Sequence, residues 1–104
     1  MSFLAMDMQK DVISGKFIWS KWKSDRNIQL GRPPFSAAIS VFKDKDKIKF
    51  DVTRVADGEV RTAVFGKSQS GKLLYIVFCL RGKRIRIIIV GDNRKLRSYY
   101  EQQK

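Results

Sequence analysis

The chain has 104 residues, enough for one domain with a core of its own and too few for two. Lys and Arg number 22 against 10 Asp and Glu, a formal net charge of +12, which selects an anionic partner: RNA or DNA first, an anionic membrane or an acidic protein face second, with a merely cationic surface as the bland alternative. Histidine is absent and Cys79 is the single cysteine, so an internal disulfide, a zinc ligand set and imidazole chemistry are all excluded, and neither metal nor cofactor is expected.

Residues 1–15 read as an N-terminal extension and 16–104 as a single domain. The stretch MSFLAMDM is a short helix, a docking arm or a frayed end, and Gly15 breaks it. The acids in this stretch and the lack of an apolar signal region argue against secretion, and no apolar run reaches the roughly 20 residues of a membrane span. The expected location is the cytoplasm. Lys16 to Trp19 is a short strand candidate. Ser20 then caps a helix over about residues 21–30, which carries only Trp22, Ile28 and Leu30 as apolar anchors, and Gly31-Arg32-Pro33-Pro34 ends it. Phe35, Ala38, Ile39 and Phe42 recur at i, i+3, i+4 and i+7, which predicts a second amphipathic helix.

Lys43 to Asp46 is a charged exit from that helix. Ile48, Phe50 and Val52 alternate with polar residues at the period of a half-buried strand. Asp57-Gly58 predicts a hairpin turn, and Gly71 and Gly82 mark the next two. The runs EVRTAVF, LLYIVFC and KRIRIIIV are then three further strands. A terminal helix follows, capped by Asp92 or Asn93, with Leu96, Tyr99 and Tyr100 as its inner face. The predicted fold class is α+β: two N-terminal helices, a four-stranded antiparallel meander and a C-terminal helix.

Gly66 to Lys72 matches the opening of a phosphate-binding loop, but Leu73 stands where that loop needs Ser or Thr. The segment also leads into a strand rather than a helix, so it reads as a hairpin.

The ordered pattern resembles the BrnT ribonuclease toxins of bacterial type II toxin–antitoxin systems, which share a fold with the RelE-type toxins. Phe17, Trp19, Lys23 and Asn27 stand at the places of F-x-W-D-x-x-K-x-x-x-N, with Ser20 for the aspartate, and Phe35 follows at the family's spacing. Asp57 to Arg61, Gly66, Leu73-Leu74, Arg81-Gly82 and Ile85 to Ile88 continue the match, and Arg97 and Tyr100 keep half of E-R-x-x-Y. Leu30-Gly31-Arg32 replaces the family's K-H-G. Ile89-Val90-Gly91 replaces S-x-R, and Leu96 replaces the glutamate. The resemblance implies a metal-independent endoribonuclease or a weakened form of one. It also implies a BrnA-like antitoxin partner and an assembly with two copies of each chain. The alternative is a non-catalytic RNA-binding or protein-binding module on the same fold.

Cleavage by internal attack needs a base for the 2′-OH, a cation for the charge growing on the phosphate, and an acid for the leaving oxygen. The catalytic candidates are Lys23, Glu59, Arg61, Arg94, Arg97 and Tyr100; the RNA-binding candidates are Arg81, Arg84, Arg86 and Trp22. Arginine suits phosphate because its planar fork bonds two oxygens at once. Arg94 is the candidate substitute for the missing family arginine. Glu59 is either the base or the ion-pair partner of Arg61, with which it shares a strand face. Trp19 and Trp22 either cover a core or stack on bases, and Arg84 and Arg86 either meet phosphate or are simply solvated.

Overall fold

The computed structural model describes residues 10–56, 59–92 and 94–102, at 51–56 and 94 as backbone alone. In chain order the elements are strands β1 (Asp11–Ser14) and β2 (Phe17–Ser20), helix α1 (Lys21–Gln29), a 3-10 turn (Phe35–Ala37) running into helix α2 (Ala38–Phe42), and strands β3 (Ile48–Ala56), β4 (Glu59–Lys67), β5 (Leu73–Arg81) and β6 (Arg84–Asp92). A second 3-10 turn (Arg94–Leu96) opens helix α3 (Arg97–Gln102). One six-stranded sheet runs β1-β2-β6-β5-β4-β3.

The α+β class and the meander β3-β4-β5-β6 stand, but the sheet is not four-stranded and two N-terminal helices of ordinary length are not present. Two short strands extend the sheet beyond β6. β1 pairs antiparallel with β2, and β2 pairs parallel with β6 through Phe17↔Ile85 and Trp19↔Ile87. Gly15 is not a break but the turn of that hairpin, at φ 58°, where a side chain would be strained. The parallel pairing joins residues nearly seventy positions apart, and no local pattern announces it. The second predicted helix is a 3-10 turn plus five α-helical residues. Its i, i+3 apolar spacing is met equally well by either geometry.

Ser20 caps α1 as expected, its Oγ accepting from the Lys23 amide at 3.3 Å. The hairpin reading of Gly66 to Lys72 also holds: Ser68 N donates to Lys72 O at 2.8 Å and the segment joins β4 to β5. The expected Asp57-Gly58 turn and Asn93 cap lie outside the described residues.

The main core lies between the sheet and the helical layer. Trp19, Phe35, Ala38, Val41, Val64, Leu74, Ile76, Ile87 and Val90 are all buried there. The Phe42 ring centroid lies 5.2 Å from Phe17 and 5.0 Å from Phe78. Such pairs add about 0.5–1.5 kcal/mol each beyond burial. Alternation along the strands sends Ala63, Phe65, Val77 and Cys79 to the opposite face, where they are also buried. α3 contributes there through Tyr100, whose ring meets Phe65 edge-on at 6.1 Å.

Two polar residues of α1 hold the helical layer together, and one of them ties it to the sheet. Ser24 Oγ accepts from Phe35 N at 3.0 Å. Asn27 donates its amide to Pro33 O at 3.0 Å and to Val90 O at 2.9 Å, bridging the loop after α1 to β6. Asn27→Ala removes both donors and strands two part-buried carbonyls, so unfolding in urea is expected to show a loss of about 1–3 kcal/mol. Asn27→Asp is expected to cost more than alanine, because it faces the same carbonyls with a carboxylate that donates nothing.

Candidate nucleic-acid interface

Register places four arginines on one face of the sheet, the face away from α1 and α2. Arg84 and Arg86 alternate with the core residues Ile85 and Ile87 on β6. Cys79 is paired with Arg86 and Arg81 with Arg84, which adds Arg81 from β5. Continuing the Thr62↔Phe78 register sets Arg61 of β4 beside Cys79 and Glu59 beside Arg81. Neighbouring strands stand about 4.8 Å apart and same-face residues about 6.7 Å, so these four Cα positions fit within roughly 10 by 7 Å.

The patch has its own acids. Glu59 pairs with Arg81 rather than with the expected Arg61. Arg81 is held above its ordinary value, first by its hydrogen bond with Cys79, with the Glu59 carboxylate adding to this against some desolvation. Arg86 is gripped by both oxygens of Asp11 on β1, each contact 3.2 Å. Arg84 is exposed. The Arg61 Nε is buried and finds no hydrogen-bond partner among the described residues. Among the described residues, four guanidiniums against two carboxylates leave the patch cationic, and a planar fork such as the Arg84 guanidinium is suited to two phosphate oxygens.

The other candidates sit elsewhere. Lys23 and Trp22 belong to α1 in the helical layer, where the Arg26 guanidinium lies 5.4 Å from the Trp22 ring centre. Trp19 is a core residue, 5 % exposed. Arg97 lines a cleft with Lys67, Lys72, Asp92 and Glu101 at the far end of the sheet, about 20 Å from Arg61 along β4. The Arg94 side chain lies outside the described residues. Tyr100 is 1 % exposed and donates its hydroxyl to Asp44 Oδ2 at 2.7 Å. Burial first, and then that carboxylate, hold the phenol well above its ordinary range, so it stays protonated at neutral pH. The structure therefore does not gather the six catalytic candidates at one place: Glu59 and Arg61 share the patch, Arg97 and Tyr100 lie toward the opposite end, and Lys23 lies in the helical layer.

Two residues that matter here were not legible as such. Asp11 fell in the undecided lead-in. Asp44 read only as part of a charged exit, yet it accepts from Tyr100, from Lys67 N at 2.8 Å and from Asp46 N at 3.0 Å. Gly66 permits that approach: a Cβ there would lie 3.1 Å from Asp44 Oδ2 and from Lys47 Cβ. A groove of about 930 Å³ opens beside this knot between α2 and the β4–β5 turn, with Ser40, Lys43, Lys67 and Gln69 on its walls.

Residues 19–95 match the family described as the ribonuclease toxin BrnT of type II toxin–antitoxin systems. The chain belongs to the BrnT family. No curated protein matches it. Family membership makes it a toxin of the type II class, drawn from a ribonuclease family, and implies an antitoxin protein as partner. The match begins after β1 and ends before Arg97 and Tyr100. Among the described residues no group of His, Cys, Asp and Glu is placed to hold a metal ion, and no helix is long and apolar enough to cross a membrane.

The substituted BrnT positions are informative in space. Ile89 and Gly91, which stand for the Ser and Arg of S-x-R, pair with Val77 and Tyr75 and so project on the arginine face. Ile89 is 47 % exposed there, and a Cβ built on Gly91 meets nothing within 4 Å. A Cβ is therefore accommodated at Gly91 without a clash.

Proposed function

We propose that this BrnT-family chain is a metal-independent endoribonuclease toxin of reduced strength that seats RNA on the arginine face of its sheet. The observation that carries the reading is the convergence of Arg61, Arg81, Arg84 and Arg86 from three adjacent strands onto one face. Glu59 is the carboxylate best placed to take the 2′-OH proton as the 2′-oxygen bonds to phosphorus, the guanidiniums stabilise the charge that builds on the phosphate, and the bond to the 5′-oxygen breaks with solvent water protonating that oxygen, leaving a 2′,3′-cyclic phosphate. A BrnA-like antitoxin silences the toxin in an assembly with two copies of each, in the cytoplasm. The reduced strength follows from Ile89 and Gly91: the face lacks a hydroxyl and a guanidinium that the family supplies.

The same substitutions favour a second reading, an RNA-binding module that does not cut. One assay separates them. Purified chain is incubated with total RNA in excess chelator, beside Gly91→Arg. Slow cleavage by the parent is expected, and faster cleavage by the variant by about tenfold or more. A single preorganised cationic or hydrogen-bonding group at a developing oxyanion is worth on the order of 10²–10³ in rate, and a grafted one recovers part of that. Intact RNA with both proteins, despite retained binding, would leave the non-cleaving module as the function.

A further inference from the structure

We propose that Asp11 on the edge strand β1 is an affinity-determining residue of the RNA surface: it occupies Arg86 and withholds that guanidinium from RNA. The inference rests on the RNA reading of the arginine face. Three observations support it. First, the pairing is two-pronged, with Arg86 Nη1 to Asp11 Oδ2 and Nη2 to Asp11 Oδ1, both at 3.2 Å. A fork engaged by a carboxylate on two nitrogens presents the same edge that a phosphate would take. Second, Asp11 is placed for this by register and not by a chance rotamer. Asp11 pairs with Ser20, Ile13 with Ile18, and Ile18 with Arg86, so Asp11 and Arg86 share the arginine face on two strands separated by β2. Third, β1 lies outside residues 19–95, which match the family, so the carboxylate comes from a strand that the family match does not cover.

The mechanical setting fits a removable group. β1 is four residues long and, among the described residues, lies at the sheet edge with its backbone paired to β2 alone. Short edge strands with one neighbour open at low free-energy cost. The paired side chains keep 24 % and 38 % of their surface, so RNA phosphate competes with Asp11 in water and not in a sealed interior.

Three variants test this against a fluorescein-labelled single-stranded 20-mer of uridine, with affinity measured from 50 to 400 mM salt. Asp11→Asn is expected to bind about five- to tenfold tighter at 50 mM salt and to steepen the salt dependence by about 0.7, the increment for one further phosphate contact on a single strand. Arg86→Ala is expected to change parent binding by less than about threefold, because Asp11 already withholds that guanidinium, and Asp11→Asn in the Arg86→Ala background is expected to tighten binding clearly less than in the parent. Thermal midpoints confirm that each variant folds. Unchanged or weaker binding by folded Asp11→Asn, with the parent binding RNA, overturns the inference and leaves the RNA reading standing. Equal tightening with or without Arg86 overturns it too, because Asp11 would then act by general repulsion. A silent parent beside a binding Asp11→Asn supports it in its strongest form. Silence from both removes the RNA reading and the inference with it.

Discussion

Arg61→Met combined with Arg84→Ala is expected to lower affinity for single-stranded RNA by about 10–100-fold at low salt and to reduce the slope of log affinity against log salt by about 1.4. Each charge-assisted contact is worth about 1.5–3 kcal/mol at most, and two contacts shared with solvent keep part of that. Each phosphate neutralised on a single strand adds about 0.7 to the slope. These two arginines are chosen because Arg81 and Arg86 already face carboxylates. The variant should remain folded. Methionine keeps the buried stem of Arg61 and removes an Nε that is buried without a partner, a group whose desolvation costs about 1–3 kcal/mol. Fluorescence anisotropy over a salt series gives both quantities. An affinity loss with an unchanged slope would place the phosphate contacts elsewhere.

Asp44→Ala should be the most destabilising of these substitutions, by about 2–4 kcal/mol, with a fall in melting temperature of about 10 °C or more. Its carboxylate accepts from the Tyr100 hydroxyl, the Lys67 amide and the Asp46 amide, and so joins α3, the end of β4 and the loop after α2. Alanine removes the Asp44 carboxylate that accepts from a phenol only 1 % exposed. Tyr100→Phe should cost less, because it removes the donor and keeps the ring against Phe65. The pH dependence separates the two effects. A phenol held above its unfolded value of about 10 stays protonated in the folded chain while the unfolded chain ionises. The unfolded state then binds fewer protons, so stability is intact below pH 10 and falls as pH rises beyond it. Tyr100→Phe should lose this alkaline decline. Urea titrations at pH 7 and pH 10.5 measure both.

Much of this was written in local pattern. Alternation in β3, β4, β5 and β6, the turn glycines Gly71 and Gly82, and the Ser20 cap are all short-range signals, and each specifies its element through sterics or a neighbouring hydrogen bond. The arginine face was half legible. Arg84 and Arg86 show their common side by alternating with isoleucines, but the register that adds Arg61 and Arg81 comes from pairing between strands. The acids that occupy the arginines were not legible, because an ion pair needs proximity and not a motif. Glu59 meets Arg81 across strands instead of Arg61 two residues on, and Asp11 reaches Arg86 through a parallel pairing of β2 and β6. The sequence by itself determined the class of elements, the cationic character and the family. Tertiary structure alone decided β1, the joining of both short strands to the sheet, which arginines share a face, and the use of Asp44 as the acceptor for Tyr100. The physical reason is range: propensity and periodicity act over a few residues, while edge pairing, ion pairing and hydrogen bonds to buried groups are made by residues 22 to 75 positions apart.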